Sequence, residues 1–287
     1  MQYKKGDRVK HPKLSEWGLG EVLADSSIDA VKIFFIGVGE KNLALKHVQP
    51  IKVEGKESES LGLDNLKLST SKTIYKYQSL PQSIKFFLRD FLEGFYGEKF
   101  FNAEREYKEK AHTLALELLG KEPFAVLITQ ANYVEIAKRA LKIVNSTNLI
   151  SPFEKMALKD GLITELSQKS FSIALYVLLY GEDELRHRFE VFIHLLEEIE
   201  AAKWTTATYF LFILQPDKYM FVKPTVTQFA AEICKFEINY KPQLNWFTYK
   251  SVLEFSNHLY TELAELKPRD MIDVQSFMWC IAPEKYE

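Results

Sequence analysis

Apolar residues change their spacing along this chain near residue 80. Up to residue 53 they fall in short clusters: Val9 to Lys10, Gly20 to Leu23, Ala30 to Phe35 and Lys41 to Leu45 are strand-like, cut by Pro12, Gly18, the Asp25 to Asp29 turn and Gly37-Val38-Gly39. Short strands at this density predict a small five-stranded barrel, because a sheet of this size protects its edges best by curling on itself. Gly18 and Gly20 are expected to supply sharp bends and positive φ at the entry to the second strand.

From residue 54 to residue 80 the composition turns to Glu, Ser, Lys and Asn with no clear apolar period, which predicts a polar linker. Leu61, Leu63, Leu66 and Leu68 are its only adhesive positions and suit one docked strand. Beyond Pro81 the period becomes helical, starting with Ile84, Phe87, Leu88, Phe91 and Leu92 at steps of three and four. Further helices are expected at Phe101 to Leu119, Asn132 to Val144, Pro152 to Leu166, Ser170 to Leu179, Asp183 to Ala202, Thr205 to Leu214, Thr225 to Lys235, Trp246 to Leu266 and Met271 to Ile281. No block repeats at a fixed period, which disfavours a solenoid.

Composition adds two points. With 287 residues, 47% of them hydrophobic and 14% aromatic, the chain can bury a core in one large or two modest domains. A formal charge of −2 argues against bulk capture of nucleic acid, yet nine Lys or Arg stand against six acids up to Val53, leaving that segment near +3 and able to reach a few phosphates. Cys234 and Cys280 form no Cys-x-x-Cys pair, the first residues carry no apolar signal region, and no apolar run has the length of a membrane span. A cytoplasmic protein is expected, with no membrane contact.

The string Gly6-Asp7-Arg8-Val9-Lys10-His11-Pro12, then Trp17-Gly18-Leu19-Gly20-Glu21-Val22, Val31-Lys32-Ile33-Phe34-Phe35 and Gly37-Val38-Gly39-Glu40-Lys41, resembles the Tudor-like, SH3-like domain at the C-terminus of bacterial repair helicases. More loosely it is similar to the CarD-type domain that contacts RNA polymerase. The shared order is "G-D-x-V-x-H-P", a glycine-bracketed turn, a strand and "F-x-G-x-G-x-K". The resemblance implies attachment to a partner and implies no catalysis. Trp17 and the longer Lys13-Leu14-Ser15-Glu16 lead depart from the pattern, so the partner is left open, and the barrel's packing on its own helical domain is an alternative.

A weaker resemblance covers Ile199 to Leu211, followed by Gln215-Pro216-Asp217-Lys218-Tyr219-Met220-Phe221. It is similar to the second half of helix-hairpin-helix DNA glycosylases, where a hairpin leads to "T-A-x-Y-x-L" and then "P-D-x-F-P-x-D". The departures fall on the functional parts. The glycines that let backbone N–H groups approach a DNA phosphate are replaced by Glu200-Ala201-Ala202, and the catalytic carboxylate's place reads Val222-Lys223-Pro224-Thr225. A degenerate glycosylase-like enzyme would need a groove near Lys203, Tyr209 and Lys223.

Other motifs resolve to simpler readings. His187, Glu190 and His194 share a helix face, but one helix supplies too few converging ligands, and Glu109-x-x-His112 resembles only half of a carboxylate-bridged di-iron site, so no metal and no cofactor is expected. Nucleophile elbows and glycine-rich phosphate loops do not occur. Tyr75-Lys76-Tyr77 through Lys85-Phe86-Phe87 and Arg89 can stack bases or fill a core. Trp246, Tyr249, Arg269, Asp270, Asp273 and Gln275 suit either a pocket or a helix-end network, with Arg269 and Asp273 paired within a helix.

These readings converge on an α+β, two-domain chain: an SH3-like or Tudor-like β-barrel over 1–53, a polar linker over 54–80 and an all-α domain over 81–287. The expected function is that of a non-enzymatic accessory protein of DNA repair, transcription or phage defence. Its barrel would grip a protein or nucleic-acid partner through Lys10, His11, Lys13, Trp17 and Lys41, with an exposed Trp17 as anchor. The alternatives are the degenerate glycosylase-like enzyme and an oligomeric helical scaffold.

Overall fold

The structure, a computed structural model, describes residues 3–66 and 79–282. They form two compact units. The first holds the described residues up to Asp90 together with Phe229–Ile238; the second holds Phe91–Gln228 and the described residues from Asn239 on.

The first unit is built on an antiparallel five-stranded sheet of β1 (Arg8–Lys10), β2 (Leu19–Val22), β3 (Ala30–Phe35), β4 (Gly39–Ala44) and β5 (Ile51–Lys52), in the order β4-β3-β2-β1-β5. Alternation in β3 explains the two faces. Val31, Ile33 and Phe35 point into one cluster with Tyr3, Val9, Val22 and Leu43, while Phe34 turns the other way onto Leu23 and Leu63. Gly18 takes the expected positive φ of 69°, but Gly20 serves differently. It pairs with Phe35 across the sheet, and a Cβ there would come within 2.7 Å of the Phe35 ring, so the missing side chain makes room for the core.

Residues 54–66 are not a free linker. Helix α1 (Leu61–Asp64), capped by Ser60, lays Leu63 on the outer face of the sheet, with Leu66 beside it. Arg8 pairs with Glu21 and with Asp64, Lys10 reaches Glu57 at 3.0 Å, and Leu66 forms a β-bridge with Phe236. Of the leucines expected to adhere, Leu63 does so from a helical turn and Leu66 beside a β-bridge, whereas Leu61 is exposed and Leu68 lies outside the described residues. The first unit also takes in α2 (Leu80–Asp90), so it extends well past residue 53.

The helical unit begins with α3 (Glu98–Phe100), which passes through a π-helical stretch (Phe101–Arg105) into α4 (Glu106–Leu119). Then come α5 (Lys121–Thr129), α6 (Tyr133–Asn145), α7 (Pro152–Gly161), α8 (Glu165–Tyr180), α9 (Leu185–Glu198), α10 (Trp204–Leu214), α11 (Pro224–Ile233), whose residues from Phe229 on belong to the first unit, α12 (Trp246–Glu262) and α13 (Met271–Ile281). Helix α5 was not expected. The single helix expected from Pro152 to Leu166 ends at Gly161, and Thr164, whose side chain accepts the Ser167 N–H, caps α8, which takes in Glu165 and Leu166. No helix among the described residues is long and apolar enough to cross a membrane.

Every residue of α10 is buried, so this helix forms the middle of the unit. Its polar groups are satisfied internally. Thr206 Oγ1 donates to the Ala201 carbonyl at 2.6 Å, Thr208 Oγ1 accepts from Val222 N–H at 2.9 Å, and Tyr209 Oη donates to the Ile143 carbonyl at 2.9 Å beside Thr147 Oγ1. Burial pushes the Tyr209 phenol from 10.0 up to about 12. Since folding favours the neutral phenol, its contribution to stability is intact below pH 10 and is lost as pH rises from there to about 12. Spectrophotometric titration of tyrosinate is expected to show a late-ionising fraction that shrinks in Tyr209→Phe; an unchanged late fraction would mean that water reaches this hydroxyl.

Candidate interaction site

Trp17 is placed by its neighbours rather than by a free loop. His11 is buried, and its Nδ1 accepts the N–H groups of Lys13 at 3.2 Å and Leu14 at 3.0 Å, closing the turn after Pro12. A 3₁₀ turn (Ser15–Trp17) follows, and the Gly37 N–H donates to the Trp17 carbonyl at 3.0 Å. Gly37 is required there, since a Cβ would lie 2.5 Å from the Glu16 carbonyl oxygen. The indole is thus pinned half-buried, 4.7 Å from the His11 ring and 5.2 Å from Phe35, with Lys41 Nζ 5.9 Å from its centre.

The residues expected to contact a partner divide accordingly. Lys13 is exposed and Lys41 half-buried, and neither makes an ion pair among the described residues. Lys10 is exposed but neutralised by Glu57. His11 is buried and its Nδ1 is taken up by two backbone N–H groups, so this side of the ring shapes the turn. Trp17 offers one half-exposed face, not the free anchor expected.

Residues 3–53 match a family described as a protein of unknown function (DUF3553). The match covers the sheet and its turns and stops short of α1, so it separates the motif-bearing module from the helical unit. Nothing among the curated proteins or the solved structures matches the chain.

The three residues expected to line a groove, Lys203, Tyr209 and Lys223, differ in exposure. Tyr209 is wholly buried and cannot touch a nucleic acid, Lys203 is exposed at the start of α10, and Lys223 is half-buried with its Nζ 4.4 Å from the centre of the Trp279 ring. The link from α9 to α10 is a tight turn. Glu200 takes a left-handed φ of 57°, and the Ala201 N–H donates back to the Leu196 carbonyl at 2.8 Å.

The helix-end network expected around Arg269, Asp270 and Asp273 is larger than the sequence indicated, because Arg105 joins it. Arg105, at the end of the π-helical stretch, sends Nη2 to Asp270 at 2.7 Å, Nη1 to Asp273 at 2.8 Å and Nε to Glu109 at 2.5 Å. Arg269 reaches the same Asp273 through Nε at 2.9 Å and donates to the Phe95 carbonyl at 2.7 Å. The expected pairing of Arg269 with Asp273 is present, although Arg269 stands before the helix and Asp270 caps it. Despite its burial, Arg105 stays charged because these partners outweigh desolvation and raise its pKa. The signal in the sequence was Asp270 and Asp273 at a helix start; the missing part was a partner 165 positions away.

Beside it, Lys108 is fully buried and donates to Ser276 Oγ at 2.7 Å. A lysine next to a serine is one form of nucleophile and base, but both are sealed, and the Ser276 hydroxyl is turned to the Ile272 carbonyl at 2.7 Å. The pair braces α4 against α13. Glu109 is engaged by Arg105, and His112 Nδ1 bonds the Ile213 carbonyl at 2.6 Å, so neither is available to iron. His187 and His194 are exposed, and among the described residues no group of three or more His, Cys, Asp or Glu can hold a metal ion.

The aromatic and basic cluster near α2 is largely core. Phe86 and Phe87 are buried, with Arg89 lying 4.5 Å from the Phe86 ring centre, whereas Tyr75-Lys76-Tyr77 lie outside the described residues.

Removing Asp273 takes one of three carboxylates from the buried Arg105 and the carboxylate paired with the half-buried Arg269, so Asp273→Ala is expected to cost about 3–5 kcal/mol in urea unfolding. A loss below about 1 kcal/mol would mean that water compensates both arginines.

Proposed function

We propose that the chain is a non-enzymatic accessory protein whose N-terminal module, an SH3-like or Tudor-like barrel, docks onto a protein of the DNA repair, transcription or phage-defence machinery. The strand order supports the barrel, since β5 returns to pair with β1 after a β1 to β4 meander. The observation that carries the docking reading is the pinned indole. Gly37 and His11 hold Trp17 half-exposed under the Lys41 ammonium, giving a rigid aromatic and cationic spot at the motif's centre.

Charge pairing reduces the cations open to a phosphate backbone without removing them. Of the nine cations in this module, Arg8, Lys10, Lys32 and Lys52 are each bound to a carboxylate of the same unit. The five others could meet phosphates only as scattered contacts, so the reading as a protein-docking module rests on the indole.

A second reading is favoured by one observation. The α9 to α10 turn puts Glu200 in the left-handed region where the helix-hairpin-helix resemblance has a glycine. It supports a shared scaffold without the phosphate-binding chemistry, consistent with the burial of Tyr209.

Co-purification from the native host tests the first reading, using the full chain, Trp17→Ala and Lys41→Glu. Associated proteins are expected to fall away in both variants while circular dichroism stays unchanged; retention in Lys41→Glu would overturn the assignment of this rim. A gel shift with single- and double-stranded DNA over a salt series tests the second. It is expected to show no salt-sensitive complex, and a complex weakened by Lys203→Ala would restore a nucleic-acid role.

A further inference from the structure

The turn from α9 to α10 forms one wall of a cleft of about 570 Å³, whose other walls are α7 and the start of α8. Its geometry follows from Gly161. With no side chain there, α7 closes to contact with the Ile199 carbonyl, and the space beside this contact becomes the cleft.

Its lining is of two kinds. Asp160, Glu198 and Glu200 contribute carboxylates, and none of the three has an ion pair or side-chain hydrogen bond among the described residues. Lys159 and Lys203 neighbour them in sequence, yet no Lys, Arg or His lines the cleft. Phe153 and Met156 supply the apolar part, at 80% and 54% exposure. Ile163 and Leu166, on the connection that carries the lining residue Thr164, are 72% and 75% exposed. Large apolar side chains left open beside uncompensated like charges mark a surface that gains from being covered by something both greasy and positive.

We propose that this cleft is a docking site for a basic, amphipathic peptide segment of a protein partner, with a lysine or arginine among the three carboxylates and an apolar neighbour on Phe153 and Met156. The alternatives fit the lining less well. A nucleic acid would bring phosphates to three carboxylates, and an anionic lipid surface would meet the same repulsion. A metal ion would need ligands gathered closely enough to chelate, and these carboxylates are not so gathered. Met and Phe adapt to varied apolar side chains, while the acids select the sign of the charge. The site lies within the helical unit and stands independently of the role given to Trp17.

The test uses the full-length chain and fluorescently labelled synthetic peptides followed by anisotropy: an amphipathic leucine and lysine peptide, and its counterpart with glutamate for lysine. The basic peptide is expected to bind and the acidic one not. Affinity should fall about tenfold in Asp160→Asn/Glu198→Gln/Glu200→Gln and again in Phe153→Ser, where the altered side chain is exposed and the fold is expected to stand. A control that neutralises the exposed Glu182 and Asp183 instead should bind as the unaltered chain does. The proposal is overturned if the acidic peptide binds equally, if the cleft substitutions change nothing, if the control weakens binding as much, or if duplex DNA displaces the peptide.

Discussion

An arginine that is 5% exposed can remain charged only if every direction of its guanidinium finds an acceptor, and for Arg105 those acceptors arrive from two distant parts of the chain. Glu109 comes from the next turn of the same helix, whereas Asp270 and Asp273 come from the first turn of α13. The helical unit is therefore closed by a contact between its beginning and its end. Asp270 has a double duty, capping α13 through the N–H groups of Ile272 and Asp273 while binding Arg105. Lys108 and Ser276 repeat the link one turn further along, so α4 and α13 are locked in register by charge-assisted bonds rather than by apolar packing alone.

Such a closure suits a core whose central helix has no charge. Helix α10 contributes Trp204, Tyr209, Phe210 and Phe212 to the interior; the hydroxyls of Thr206, Thr208 and Tyr209 donate to backbone carbonyls, and that of Thr205 donates to the Glu154 carboxylate. Apolar packing of this kind is tolerant of small slips in register, while bonds to a buried guanidinium are not. The polar knot supplies the geometric discrimination that the apolar centre lacks.

In the sheet module the same economy governs the motif residues. His11 closes a turn, Gly20 leaves space for Phe35, and Gly37 lets two loops touch. Most positions of the recognisable string are thus occupied in shaping the module, while Trp17 and Lys41 stay half-buried and Lys13 exposed. Four of the nine basic residues up to Val53 are paired within the unit, while the unpaired carboxylates of Asp160, Glu198 and Glu200 give the helical unit a patch of opposite sign.

Local pattern alone determined the strands from Ala30 to Phe35 and Lys41 to Leu45, most of the helices, and the positive φ of Gly18, because alternation, amphipathic spacing and glycine's freedom act over a few residues. It also held the adhesive leucines of the segment after residue 53 without saying what they adhere to. Tertiary structure alone decided which charges became paired, as with Lys10 on Glu57, and which polar residues went inside, as with His11, Lys108 and Tyr209. It decided as well that Arg105 answers Asp273 across 168 positions and that three unpaired carboxylates line one cleft. The physical reason is range: backbone preference is written in neighbouring residues, whereas the cost of burying or gathering a charge depends on partners that only folding brings near.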